Sequence, residues 1–239
     1  MIPPVLLLHG FPLDARMWEG QRARLEQAGY EVIAPNLPGR DPENDIARWS
    51  ERILQLLPGP FVPVGCSMGG YVIFELWRQA ADRIPAAVFV DTRATADTPE
   101  GRRGREDTIR LLGEAGFDPF WEAQAPKLFG PNASPKVVEG ARAISSEQPI
   151  PGLVATLQAL AARPDSRDTA ASMNVPALVL VGEEDVLTPP NDSEELAGLL
   201  PLGRLVRLRG AGHLSPLERP DEVSEELLGF LEQGLSERD

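Results

Sequence analysis

The chain of 239 residues carries 36 acidic against 23 basic side chains, a net charge of −13, and 42% of it is apolar. That length and apolar share suit one α/β domain with room for an insertion, and the acidity argues against nucleic acid or an anionic membrane as partner. One cysteine (Cys66) and two histidines (His9, His213) exclude an internal disulfide, a zinc cluster and any multi-histidine metal site, so no metal or other cofactor is expected.

No stretch reaches the length of a membrane span, and Met1–Val5 carries no basic region before its short apolar run. No signal peptide is expected, and the expected location is cytoplasmic. Phosphate-loop and dinucleotide patterns are absent: there is no GxxxxGK[ST], and no GxGxxG follows a strand-like run.

Val5–Leu8 is a continuous apolar run, which predicts a strand buried on both faces and broken by His9-Gly10-Phe11-Pro12. Asp14 is placed to cap a helix running to about Ala28, closed by Gly29. Glu31–Ala34 reads as a second strand, and Asp45–Leu57 spaces Ile46, Trp49, Ile53, Leu54 and Leu57 as a helix does. Phe61–Cys66 is a third strand that ends abruptly in Gly65-Cys66-Ser67-Met68-Gly69-Gly70, followed by the helix-like Tyr71–Ala81. Ala86–Val90 is a further strand, stopping at Asp91.

From Thr92 to about Met173 the alternation of strand and helix gives way to helix patterns alone, near Gly104–Glu114, Pro119–Leu128, Pro135–Ser146 and Gly152–Ala162. Alternation resumes with a strand at Ala177–Val181, a helix near Ser193–Leu200, a strand at Leu205–Leu208 and a last helix from about Asp221 to Gly234. The pattern predicts a mostly parallel sheet covered by helices, residues 1–91 and 174–239, interrupted by an all-helical insertion, residues 92–173.

The chemistry gathers around Ser67. A serine on a sharp strand-to-helix turn tolerates only glycine-sized neighbours two residues away on each side, which Gly65 and Gly69 supply. A hydroxyl needs a base to take its proton, and His213, in the glycine-rich Gly210–His213 loop after a strand, is the candidate; His9 is assigned to bracing its own loop. An acid must then orient the imidazole. Asp185, after the strand at Ala177–Val181, is the first choice, with Glu184, Glu183 and, from the strand after the serine helix, Asp91 as alternatives. The backbone N–H groups of Met68 and Phe11 are the candidate donors to an oxyanion, Gly10 permitting the close approach and Pro12 restricting Phe11.

In this order and spacing His9–Pro12, Gly65–Gly70, Gly182–Asp185 and Gly210–His213 resemble the α/β-hydrolase fold superfamily across nearly the whole chain. The segment Asp91–Gly101 is similar to bacterial carboxylesterases related to 3-oxoadipate enol-lactonases. The resemblance implies Ser67 as nucleophile, Asp185 as acid, His213 as base, Phe11 and Met68 as the oxyanion hole, and residues 92–173 as a helical cap. It implies a serine hydrolase of carboxylic esters, or a lactonase or perhydrolase using the same residues, with a small-molecule ester or lactone as its partner; a non-catalytic ligand binder of the same fold is the other class.

Two departures carry expectations of their own. Such proteins commonly have two strands before the His-Gly strand, so about six strands are expected, with one sheet edge open and monomer or homodimer both allowed. Asn36–Arg40 stands in place of the usual D-x-P-G-x-G, which predicts a weaker loop brace. Phe11, Phe120, Trp121 and Phe129 are candidate pocket residues, and Cys66 should be an inert core residue. Arg102, Arg103, Arg105 and Arg110 are read as a solvated helix start paired with Glu100, Glu106 and Asp107, or as recognition of a substrate carboxylate.

Overall fold

A computed structural model describes residues 2–37 and 45–236. Apolar runs at β1 (Val5–Leu8), β3 (Val62–Cys66) and β4 (Ala87–Val90) are buried along their whole length, as is β5 (Pro176–Gly182) beyond its first residue. Two further strands, β2 (Val32–Ile33) and β6 (Leu202–Leu208), complete a six-stranded sheet of order β2-β1-β3-β4-β5-β6 in which every pairing is parallel.

Side chains of alternating residues enter opposite layers, as the two-residue period of a strand requires. Val5 and Leu7 face a core closed by α1 (Glu19–Gln27) and by the last helix, whose Val223, Leu227 and Leu231 are buried. Leu6 and Leu8 face the other core, closed by α2 (Ile46–Leu56) and α3 (Met68–Ala80) through Trp49, Ile53, Val72 and Leu76. Burying a side chain of this size stabilises by about 1.5–3 kcal/mol, and both layers draw on many of them.

Between β4 and β5 the described chain is helical throughout: α4 (Pro99–Ala115), α5 (Phe117–Leu128), α6 (Pro135–Ser146), α7 (Ile150–Ala162) and α8 (Arg167–Ser172). After β5 follow α9 (Pro190–Leu199), β6, the short α10 (Ser215–Glu218) and α11 (Pro220–Ser236). The helical insertion read from the sequence is therefore present.

Several element bounds differ from the sequence reading, each for a local reason. Asp14 does cap, accepting from the Arg16 N–H at 3.0 Å, but the first turn is 3-10 and α1 starts at Glu19. Helix α4 begins at Pro99 because Thr98 Oγ1 caps the Gly101 N–H at 3.1 Å and proline suits the first helical position. β6 begins three residues early: it is an edge strand, largely exposed, so its polar start hides it from a hydrophobicity reading. α8 and α10 are too short to show a helical period.

Ladder register decides where the site lies. Leu8 is level with Gly65, Cys66 with Val90, and Val90 with Leu180, so the loops after β1, β3, β4 and β5 leave one edge together. The chain runs from β1 outward to β2 and then returns to β3 on the other side, so a crevice opens between the ends of β1 and β3, where ligands bind in open parallel sheets.

Candidate active site

Ser67 joins β3 to α3 with φ 50° and ψ −107°, a left-handed conformation that costs a non-glycine residue roughly 1–2 kcal/mol. Its neighbours explain why the turn survives. A Cβ on Gly65 would lie 2.6 Å from the Gly70 nitrogen, and one on Gly69 would lie 2.8 Å from the Leu8 carbonyl carbon. Helix α3 thus leans directly on β1 and β3, which lifts the serine to the sheet edge. Gly65→Ala is expected to lower stability by about 1–3 kcal/mol through overpacking against backbone, read as a reduced urea midpoint.

Three loops converge on that serine. His213 Nε2 lies 2.8 Å from Ser67 Oγ, and His213 Nδ1 lies 2.8 Å from Asp185 Oδ2. Asp185 is itself held from three sides: its Oδ1 accepts from the Leu187 N–H (2.8 Å) and Thr188 N–H (3.0 Å), and its Oδ2 accepts from Thr188 Oγ1 (2.7 Å). Thr188 escaped the sequence reading. An Asp followed three residues later by a threonine in a loop is the turn pattern that could have found it.

Asp91, the alternative acid, makes none of these contacts. Its Oδ1 accepts from the Gly182 N–H (2.9 Å), and its Oδ2 accepts from the Ser215 N–H (3.0 Å) and Ser215 Oγ (2.6 Å). It also sits at positive φ (47°) with no exposure. The structure therefore brings Asp185 to His213 and uses Asp91 to tie the ends of β4 and β5 to the turn after His213. Glu183 and Glu184 contribute backbone instead: their N–H groups donate to Leu208 O and Ala211 O.

The charges follow from this packing. Burial works to raise the Asp185 carboxyl, but the His213 charge and the hydrogen bonds from His213 and Thr188 outweigh it and hold it below its ordinary value. Burial likewise works to lower His213, and Asp185 outweighs it by charge and hydrogen bond, with Asp91 adding and Arg93 opposing; His213 ends above its ordinary value. Burial first, then the Asp185 charge, pushes Asp91 well above its ordinary value. Since the three interact, their protons come off as a group property.

His9 plays the bracing part. Its Nε2 accepts from the Leu37 N–H at 2.8 Å and its Nδ1 meets Gly10 O at 3.2 Å, while burial lowers it to about 4 and keeps it neutral. Asn36 Oδ1 also accepts from the Ala15 N–H at 3.0 Å. Pro38, Gly39 and Arg40, the rest of the segment for which a weaker brace is expected, lie outside the described residues. Met68 is the first residue of α3, so its N–H has no partner within the helix and points toward the serine end. Gly10 brings the Phe11 backbone alongside: a Cβ there would meet Ser67 Cβ at 3.6 Å.

A cavity of about 250 Å³ holds Ser67 and His213, with Phe11, Tyr71, Leu128, Leu157, Leu160 and Leu187 as apolar walls and Arg93, Asp97, Arg105 and Lys127 as charged ones. Phe11 lies where the sequence reading put it. Phe120, Trp121 and Phe129 do not line this cavity: Phe120 backs Phe11 edge-on at 6.0 Å in a cluster with Leu112, Leu153 and Leu157, and Trp121 and Phe129 join the core beneath. Large aromatic rings fill the joint between helices and sheet because there they bury all their area.

The basic cluster divides. Arg103 pairs with Glu100 and Arg110 with Asp107, both exposed, as the solvated reading expects. Arg102 donates to the Asp97 carbonyl, and Arg105 turns inward to the Asp97 carboxylate. Cys66 is fully buried with its thiol pushed well up by burial, so it stays a core residue. Glu218 was missed altogether: it accepts from the Gly212 and Gly130 N–H groups (2.8 and 3.0 Å) and so fastens the histidine loop to the turn after α5, within the helical insertion.

A parallel sheet carrying a strained serine turn, with histidine and carboxylate arriving from later strand ends, defines a hydrolase of the α/β type. The comparison with known families agrees, and the chain belongs to the alpha/beta hydrolase family, whose model matches residues 5–226. Among its relatives is the pimeloyl-[acyl-carrier protein] methyl ester esterase of Nitrosomonas europaea, 28% identical over 92% of each chain. A thermophilic esterase from Thermogutta terrifontis, solved with malate bound, is 33% identical and superposes with a TM-score of 0.91 over 97% of this chain and 90% of that one. The enol-lactonase of Burkholderia xenovorans is 26% identical with a TM-score of 0.88 over 98% and 92%. No helix among the described residues is long and apolar enough to cross a membrane.

Proposed function

We propose that the chain is a serine esterase acting on carboxylic esters of small to medium, largely apolar acyl or alcohol parts, with residues 92–173 as a cap over the site. The observation that carries this reading is the unbroken relay of two 2.8 Å contacts from Ser67 Oγ through His213 to Asp185 inside the cavity. In the first half-reaction His213 Nε2 takes the Ser67 proton as Oγ bonds to the ester carbonyl carbon. Asp185 stays ionised and stabilises the imidazolium, while the Met68 and Phe11 N–H groups face the new oxyanion. The intermediate collapses as His213 returns the proton to the leaving alcohol, leaving an acyl-serine. Water, activated by the same imidazole, then attacks that acyl group and releases the acid and free Ser67.

A lactone is the second reading, favoured by the likeness to the Burkholderia enol-lactonase. Ring opening uses the same steps, with the leaving alkoxide kept in the acyl chain. One preparation assayed on p-nitrophenyl butyrate, on a γ- or δ-lactone and, with hydrogen peroxide as acyl acceptor, for peracid decides among the three. The expected order is ester fastest, with Ser67 labelled by a serine-reactive fluorophosphonate. No turnover of any of them and no label would instead favour a non-catalytic binder.

A further inference from the structure

The cavity holding Ser67 is cationic, in a protein whose net charge is −13. Its walls carry Arg93, Arg105 and Lys127 against a single carboxylate, Asp97. Asp97 is itself shared: its side chain is 1% exposed and meets Arg93 Nη2 at 3.1 Å, Arg163 Nη1 at 2.8 Å, and Arg105. Burial works to raise its carboxyl, but Arg105 and Arg163 outweigh it and hold it down at about 2, so it always supplies one negative charge and no more. Asp192 reaches Arg93 from the far side at 3.5 Å, and Arg163 is turned away over the Tyr71 ring at 4.1 Å.

Donors are left over. Arg93 Nε is buried with no hydrogen-bond partner. Among the described residues Arg105 spends Nε and Nη2 on Asp97 and has no acceptor at Nη1, and Lys127, exposed at the cavity rim, has no ion-pair partner. A buried guanidinium with spare N–H groups is costly unless an acceptor completes it, and a planar carboxylate matches the fork of an arginine. Solvating the helix start does not account for Arg105, whose side chain is only 20% exposed and pairs with the buried Asp97 beside the cavity.

We propose that Arg93 and Arg105, aided by Lys127 at the rim, bind a free carboxylate on the substrate, so that the esters this protein turns over best are half-esters of short dicarboxylic acids. The inference rests on the serine esterase reading and gives it a substrate class. Asp97 acts as the positioning residue that keeps both guanidiniums beside the cavity, and the apolar wall of Leu128, Leu157 and Leu160 takes the methylenes between the two ends. Near 250 Å³ the cavity suits a chain of a few carbons.

The test compares monomethyl glutarate with methyl pentanoate, the same length without the charge, by methanol release at low salt. Wild type is expected to favour the half-ester at least tenfold in kcat/KM, through KM. Arg105→Gln and Arg93→Gln should each cut that preference by about 10–100-fold, the size of a lost charge-assisted hydrogen bond. Lys127→Gln, at an exposed position that folding does not depend on, should cut it about two- to fivefold and flatten its salt dependence. Glutarate should inhibit competitively, more weakly in each variant. Equal turnover of the two esters by wild type, or a preference that survives all three substitutions, overturns the carboxylate inference while leaving the esterase reading intact. Failure of both esters together with no phosphonate label on Ser67 overturns both.

Discussion

Ser67→Ala is expected to lower kcat toward a short ester by about 10⁶-fold, to the residue of catalysis that binding and oxyanion donors alone provide. The size follows from the reaction, because without Oγ no acyl-enzyme forms and His213 has nothing to deprotonate. Fold and cavity should survive, since the Ser67 backbone is held by its N–H to Val90 O (2.8 Å) and its carbonyl, which accepts from Thr92 Oγ1 (2.8 Å) and the Gly70 N–H (3.0 Å). The strained turn supplies an internal control. Ser67→Gly removes the same oxygen and relieves φ 50°, so it should be as inactive as Ser67→Ala yet more stable by about 1 kcal/mol. Turnover in either variant close to wild type would remove Ser67 from the mechanism.

Asp185→Asn is expected to lower kcat by about 10⁴-fold, because an amide holds the imidazole in the wrong tautomer and leaves the imidazolium uncompensated. The pH profile adds a sign. His213 must be neutral to accept the serine proton, so kcat/KM rises with pH through its folded value, which Asp185 holds above 6.5. Wild type should therefore show an acid limb above pH 6.5, and Asp185→Asn should move it downward. Asp91→Asn tests the other carboxylate. It keeps an acceptor for the Gly182 N–H, gives up one for Ser215, and should cost no more than about 10²-fold. If Asp91→Asn proved the more damaging of the two, the roles assigned to these carboxylates would have to be exchanged.

Local patterns made the fold legible because parallel strands buried on both faces read as continuous apolar runs. Val5–Leu8, Phe61–Cys66 and Ala86–Val90 all stand out in this way, and glycines at Gly65 and Gly69 mark a turn that no other residue could make. β6 was cut short for the converse reason, an edge strand exposing its first residues to water. The serine and the histidine were legible too, the first by its turn and the second by there being only two.

Choosing the acid was different in kind. Asp185 and Asp91 both follow strands of the same edge, and nothing along the chain ranks them beyond the customary order of such residues. Strand register and loop length bring Asp185, and not Asp91, to His213. The turn from Gly182 to Thr188 curls Asp185 under the imidazole, whereas Asp91 at positive φ is claimed by two N–H groups before it can reach His213.

Composition and spacing, then, were enough for the sheet, the helical insertion, the serine turn and the histidine proposed as its base, since each is marked by residues close in sequence. The contact of Asp185 with His213, the absence of Phe120, Trp121 and Phe129 from the cavity wall, and the placing of Arg93 and Arg105 in the cavity that holds Ser67 depend on contacts between segments far apart. Asp97 is the clearest case. It follows Arg93 by four residues and precedes Arg105 by eight, but Arg163 reaches it only because α7 packs back against α4. A charge cluster is a matter of distance in space, which only the packed chain sets.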